Sequence, residues 1–242
     1  IALREDGYLG GITIVGEEQH PPYERPPLSK SFLMGKSTFE DALVEPASWY
    51  LEHDVRLLTG RAVTALDLEK HDIELDDGAL ISFDKAILAT GARPRVLNIP
   101  GADLAWTLRG VEDSERLRAA LASASSMVVI GGGWIGLEAS AAAREAGLNV
   151  TVLEAAPLPL QRVLGDEMAR YFADLHRRHG VDLLTSTSVE SIDGPGPFTV
   201  SAGGEEFKAD LVLMGVGAVP NTELAQAAGL AIDDGVIVDE RF

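Results

Sequence analysis

The sequence predicts an α/β fold built on parallel sheets, and three observations predict it. Short apolar runs recur at residues 12–15, 86–89, 127–130, 150–153 and 211–214, the continuous pattern of strands covered on both faces. Helical stretches alternate with several of these runs, as βαβ connections require. A glycine turn at Gly131-Gly132-Gly133 stands between one run and the helix after it. The 242 residues are 46% hydrophobic and 24% charged, enough for one large or two small domains. Only 6% are aromatic, which suits helices packed closely on a buried sheet.

Residues 1–6 read as the tail of a helix stopped by Gly7. Gly10 and Gly11 lead into the strand at 12–15. Pro21, Pro22, Pro26 and Pro27 then forbid regular structure and mark a long shaped loop. Residues 46–53 read as a helix and 55–58 as a short strand. Alternation through 62–83, with Asp76-Asp77-Gly78 inside it, predicts two antiparallel strands joined by a hairpin turn. A buried strand at 86–89 ends at Thr90-Gly91, and a helix at 113–121 precedes the strand at 127–130.

From there strand, glycine turn, helix at 134–146, the stop at Gly147 and the strand at 150–153 make a complete βαβ unit. A longer helix at 165–179 and a strand at 181–184 follow. Two β-rich stretches flank Asp193-Gly194-Pro195-Gly196, and the strand at 211–214 closes the pattern. No repeat of solenoid period is present. Two Rossmann-like halves result, each a parallel sheet with an antiparallel excursion, the first lacking its opening strand and loop. Residues 1–106 and 224–242 are expected to form one domain, and 107–223 a second domain inserted into it.

A formal charge of −18 argues against general affinity for nucleic acid or anionic membrane. The absence of cysteine excludes disulfides, thiolate metal sites, iron–sulfur ligation and thiol redox chemistry within this sequence. The five histidines lack zinc-type spacing; His176 and His179 read as a wet surface pair rather than a metal site. No apolar run approaches the ~20 residues that span a bilayer, and no signal peptide is visible. Cytoplasmic location is the default expectation.

The sharpest motif is Gly131-Gly132-Gly133-Trp134-Ile135-Gly136, a G-x-G-x-x-G spacing. Alone it is weak, but a strand precedes it, a helix follows it, and Glu154 closes the next strand. Each position has a physical task in binding a dinucleotide. Gly131 permits the tight turn, Gly133 admits a pyrophosphate to the backbone, and Gly136 lets the helix approach the strand. The helix N-terminus offers N–H groups to the phosphates, and Glu154 can accept hydrogen bonds from the ribose hydroxyls. A carboxylate at 154 repels a 2′-phosphate, and Arg162 is the nearest arginine and lies a loop away, so NAD is expected over NADP. A glycine-rich turn without a ligand is the alternative.

Three further stretches carry a resemblance. Residues 22–30, Pro-Tyr-Glu-Arg-Pro-Pro-Leu-Ser-Lys, residues 88–95, containing Thr90-Gly91-Ala92-Arg93, and residues 215–221, beginning Gly215-Val216-Gly217, occur in the order found in FAD-dependent pyridine nucleotide oxidoreductases of the ferredoxin-reductase type. The chain resembles that family, which includes putidaredoxin, rubredoxin and biphenyl-dioxygenase ferredoxin reductases, over essentially its whole length. The resemblance implies an enzyme with FAD and NAD as cofactors, passing electrons from NADH to a ferredoxin-like carrier. It implies that Lys30 lies near flavin N5 and pairs with Glu138, which also meets the nicotinamide. Surface positions for both are the ordinary alternative. Arg25 is implied to position flavin or the carrier, with a loop–loop ion pair equally open. Arg93 is preferred to Arg95 as an FAD phosphate contact, and Glu17 to Glu18 as the FAD ribose acceptor.

The resemblance also implies that a first FAD glycine loop precedes Ile1, that a second FAD segment follows Phe242, and that a C-terminal interface domain lies beyond. Residues 1–242 alone are therefore expected to bind FAD poorly. Two readings compete with the reductase: an NAD(H)-binding module without catalysis, and a rubredoxin- or nitrite-reductase-linked flavoprotein component. A cysteine-dependent peroxide or disulfide reductase fails for want of the thiol.

Overall fold

The computed structural model describes residues 1–240; residues 241 and 242, at the end of the expected 224–242 segment, lie outside the described residues. In chain order the elements are α1 (Ala2–Glu5), β1 (Ile12–Gly16), α2 (Ala47–Glu52), β2 (Val55–Thr59), β3 (Val63–Asp67), β4 (Asp72–Leu75), β5 (Leu80–Ser82) and β6 (Ala92–Pro94). Then come α3 (Val111–Leu121), β7 (Ser126–Ile130), α4 (Trp134–Glu145), β8 (Asn149–Glu154), α5 (Gln161–Arg178) and β9 (Val181–Thr185). The rest are β10 (Val189–Asp193), β11 (Phe198–Ala202), β12 (Glu205–Ala209), β13 (Leu211–Met214), β14 (Ala218–Pro220) and α6 (Glu223–Ala227). Among the described residues no helix is long and apolar enough to cross a membrane.

The chain forms two compact units. One holds Ile1–Glu24, Ala42–Ala92 and Pro220–Phe242; the other holds Arg25–Asp41 and Arg93–Val219. The proline loop after Glu24 thus packs within the second unit, although the sequence placed it with residues 1–106.

The second unit is organised by a four-stranded parallel sheet in the order β13-β7-β8-β9. Val128 lies opposite Val212 on one side and Thr151 on the other. All four residues of β13 and the last four of β7 are buried, the signature of strands covered on both faces. Alternation divides them cleanly: Met127 and Val129 join one core cluster, Val128 and Ile130 the other. The first cluster takes α4 through Ala139, Ala142 and Ala143, whose small side chains let the helix sit close to the sheet. The second takes Ile192, Val200, Ala202 and Ala209 from the antiparallel sheet β10-β11-β12.

Asp210 clamps the start of this sheet. Its carboxylate accepts from Ser125 N (2.8 Å), Ser126 N (3.0 Å) and Ser126 Oγ (3.0 Å), fixing β13 beside β7. The Ser125 N–H and then the Ser126 hydroxyl hold its carboxyl below the ordinary 3.8, while the slight burial pulls the other way. A carboxyl with a lowered pKa in the folded state contributes stability that is present above the unfolded value and lost as pH falls through the folded one. Asp210→Ala is expected to lower the melting temperature at pH 7 by roughly 2–4 °C. The difference from the parent should shrink in melts run below pH 4, on the order of the unfolded pKa.

In the first unit, β1 and β2 pair in parallel and β3-β4-β5 form an antiparallel sheet, with α6 packed on β3. Two expectations need correction here. The alternating stretch holds three strands and two turns rather than one hairpin; the earlier turn passes through His71 at φ 59°, a left-handed position without a glycine to announce it. Residues 86–89 form no strand, and Ile87 is 87% exposed. An apolar run becomes a strand only by laddering to a neighbour, and no strand among the described residues pairs with this one.

Candidate active site

Chain order and sheet order part company at β7. From there the chain steps outward to β8 and β9, then returns to place β13 on the opposite side of β7. Loops leaving the carboxyl ends of β7 and β13 therefore diverge and leave a crevice, the usual ligand position in such sheets. Those loops are Gly131–Gly133 and Gly215–Gly217, and Glu154 ends β8 beside them.

The glycines here divide into two kinds. Gly131 has φ +101°, and a Cβ on it would come within 2.6 Å of Gly215 O; on Gly136 a Cβ would meet Gly131 O at 2.1 Å. Both are demanded by the fold. Gly133 is different: its φ is −78°, and a Cβ would touch only Gly215 O at an ordinary 3.6 Å. Among the described residues nothing requires glycine there, and the backbone face at Gly133 is open. Gly133 caps α4 without a side-chain hydrogen bond, leaving first-turn N–H groups for an anion. Glu154 braces the loop, accepting from Gly132 N (2.5 Å) and Ala156 N (2.7 Å). Arg162 is exposed near the start of α5. The tight turn, the open backbone and the helix terminus suit a pyrophosphate, and the braced carboxylate suits a diol.

Next to this loop lies a pocket of about 300 Å³ lined by Arg25, Ser29, Lys30, Arg109, Trp134 and Glu138 among others. Lys30 Nζ stands 3.0 Å from Glu138 Oε1, with the lysine half exposed and the glutamate at 24%. The resemblance named this pair, and the fold unites it. Glu138 stands one turn into α4, so pair and glycine loop share a helix. Trp134 and Ile135 remain partly exposed at that helix's start, with Trp134 edge-on to Phe172.

Lys30 is delivered by the short 3-10 turn Pro26–Ser29. Two prolines preset that turn, and three long-range bonds seat it. Arg25 donates to Arg109 O (3.0 Å), Ser114 Oγ donates to Leu28 O (2.6 Å), and Ser29 Oγ donates to Glu138 Oε2 (2.5 Å). Arg25 thus bonds the Arg109 carbonyl. Arg109, Ser114 and Ser29 were given no role from sequence; a basic residue two positions before α3 and a serine beside Lys30 carry no local signal.

The remaining expected residues lie elsewhere. Thr90 Oγ1 donates to Asn221 O (2.6 Å), Asn221 Nδ2 to Thr90 O (2.8 Å), and Asn221 N to Gly91 O (3.0 Å). The two signature segments are thus tied reciprocally within the first unit. Glu17 is exposed just past β1, while Glu18 accepts from the Tyr23 hydroxyl. Arg93 is exposed on β6, and Arg95 N bonds Gly217 O at 2.9 Å. Val216 Cγ1 would lie 3.2 Å from a Cβ on Gly131, so Gly215 and Val216 form the second wall of the loop.

Comparison with known proteins gives this geometry a context. The chain is 44% identical to rhodocoxin reductase of Rhodococcus erythropolis over 245 residues, covering 99% of this chain and 57% of that protein. It is 43% identical to the benzene 1,2-dioxygenase system ferredoxin–NAD(+) reductase subunit of Pseudomonas putida, covering 99% and 59%. The crystal structure of the covalent putidaredoxin reductase–putidaredoxin complex superposes with a TM-score of 0.93 at 38% identity, covering 98% of this chain and 60% of that one. The chain thus spans under two thirds of the length of these relatives. The profile of the pyridine nucleotide-disulphide oxidoreductases matches residues 1–242, and the chain belongs to that family.

Proposed function

We propose that the protein is an NADH-dependent flavoprotein reductase that passes electrons through FAD to a small ferredoxin-like carrier. The observation that carries this reading is the Lys30–Glu138 pair, set on the same helix whose N-terminus opens the glycine loop. When bound, FAD supplies the conversion between a two-electron donor and a one-electron acceptor. The names of the relatives, which include reductases of ferredoxin and rhodocoxin, support the choice of NAD and of acceptor.

In this proposal residues 107–223 serve NAD and 1–106 with 224–242 serve FAD, although 25–41 and 93–106 pack with the unit that holds 107–219. Gly131, Gly133 and Gly136 admit the NADH pyrophosphate to the backbone, aided by the N–H groups around Trp134 and Ile135. Glu154 accepts from the adenosine ribose and disfavours a 2′-phosphate, with Arg162 exposed near the start of α5. Glu17, Thr90, Gly91 and Arg93 are assigned to FAD, with Gly215, Val216 and Gly217 closing the loop wall and Arg25 holding the lysine turn. Lys30 would supply an ammonium to offset the negative charge of a reduced flavin, and Glu138 would hold that ammonium in place. The location proposed is the cytoplasm.

Because residues 1–242 alone are expected to bind FAD poorly, the test is a visible spectrum of the protein kept in excess FAD, then treated with NADH without oxygen. Flavin absorbance that bleaches with NADH faster than FAD alone does, and far more slowly with NADPH at equal concentration, is the expected result. Flavin that stays oxidised at saturating NADH overturns the reading.

A further inference from the structure

We infer that Ser29 is a positioning residue for the Lys30–Glu138 pair, its hydroxyl fixing the Glu138 carboxylate so that one oxygen is presented to the lysine. The inference deepens the proposed function and rests on that reading for its kinetic consequence, though not for its geometry.

Glu138 has two carboxylate oxygens, and the structure gives each a different partner. Oε2 takes the Ser29 hydroxyl at 2.5 Å, and Oε1 takes Lys30 Nζ at 3.0 Å. The lysine is half exposed on a flexible stem, so nothing on its own side chain beyond a 3.2 Å contact to Pro26 O holds it. An exposed pair of that kind is worth little and wanders. Ser29 is 7% exposed, its hydroxyl has one proton to give, and that proton goes to Glu138. A hydroxyl donating to a carboxylate makes a short, strong, charge-assisted bond.

The donor is itself immobile. Ser114, fully buried on α3, bonds the carbonyl of Leu28 immediately before Ser29, and Leu28 is 2% exposed. The 3-10 turn therefore acts as a rigid bracket from which Ser29 reaches α4. Removing the hydroxyl leaves Oε2 without its donor on a side chain 24% exposed and frees the carboxylate to rotate about its last torsion. The ammonium then loses its fixed partner.

Zero-length carbodiimide coupling reads this directly, since an isopeptide bond forms only where ammonium and carboxylate touch. The yield of the Lys30–Glu138 crosslinked peptide, measured by mass spectrometry without added FAD, is expected to fall at least threefold in Ser29→Ala. Ser29→Cys keeps the volume without a strong donor and is expected to fall alike, whereas Ser29→Thr retains the donor and the yield. Unchanged yield in both the alanine and cysteine variants, with melting curves like the parent's, overturns the inference. With FAD bound, the single-turnover rate of flavin bleaching by NADH is expected to fall several-fold in Ser29→Ala while the Kd for NADH holds. A lost crosslink with an unaltered bleaching rate would uphold the positioning role and sink the catalytic role proposed for the pair.

Discussion

Gly136→Ala lowers the melting temperature by on the order of 10 °C, because its Cβ falls 2.1 Å from Gly131 O and backbone must move, costing about 3 kcal/mol or more. Gly133→Ala, three residues away, leaves the melting temperature within about 2 °C of the parent, since its Cβ meets nothing closer than 3.6 Å. The second variant nevertheless weakens NADH binding roughly tenfold or more, as a methyl group stands where a pyrophosphate must approach the backbone. Thermal melts and calorimetric titration with NADH separate the two. Tight NADH binding by a stable Gly133→Ala protein would show that the pyrophosphate does not pass over this glycine. The contrast matters because a glycine-rich turn with no ligand predicts that the two substitutions fail, or succeed, on stability alone.

The second large effect concerns the ion pair. Lys30→Met is expected to slow flavin bleaching by NADH about 10²-fold, the usual magnitude for losing one fixed electrostatic stabiliser. Flavin content and NADH affinity should stay near the parent's, since the lysine is half exposed and only Glu138 and Pro26 O hold its amine. Glu138→Gln preserves shape but removes the charge opposite the ammonium, and a roughly tenfold slowing is expected from the lost pairing. The double substitution should cost little beyond Lys30→Met, because the two groups act as one unit. Rapid-mixing absorbance with NADH reads all three. Additive losses in the double variant would mean that each residue acts separately.

Local signals made one part of this molecule legible from sequence. The run β7, glycine turn, α4, β8 shows its periods and punctuation within thirty residues, and it folds as the pattern says. The kink in α5 at Gly165, whose backbone is not helical, likewise coincides with the expected start of that helix. Burial in the first unit was less legible. The apolar run at 86–89 satisfies the same rule as β7, yet a strand's existence depends on partners that its own residues do not encode. The site shows the same divide. Lys30 and Glu138 were paired through resemblance to a family, because no periodicity links positions so distant. Arg109 and Ser114 meet the lysine turn, and Ser29 of that turn meets Glu138, through single hydrogen bonds across 84 to 109 residues of chain. Such contacts leave no spacing to count.

The bracket that seats Lys30 also sets a timetable for synthesis. Ser29 and Glu138 are 109 residues apart, and a ribosome adds roughly 5–20 residues each second. For roughly 5–20 s, then, the nascent segment bearing Leu28, Phe32 and Leu33 has emerged while α4, against which its turn packs, has not. Those three side chains are each 2% exposed once folded, and their cover, which includes α3 through Arg118 over the Phe32 ring, is complete only when α4 arrives. The newborn chain therefore carries incompletely covered apolar groups in this interval, and a holding chaperone would act on the stretch that later carries the lysine.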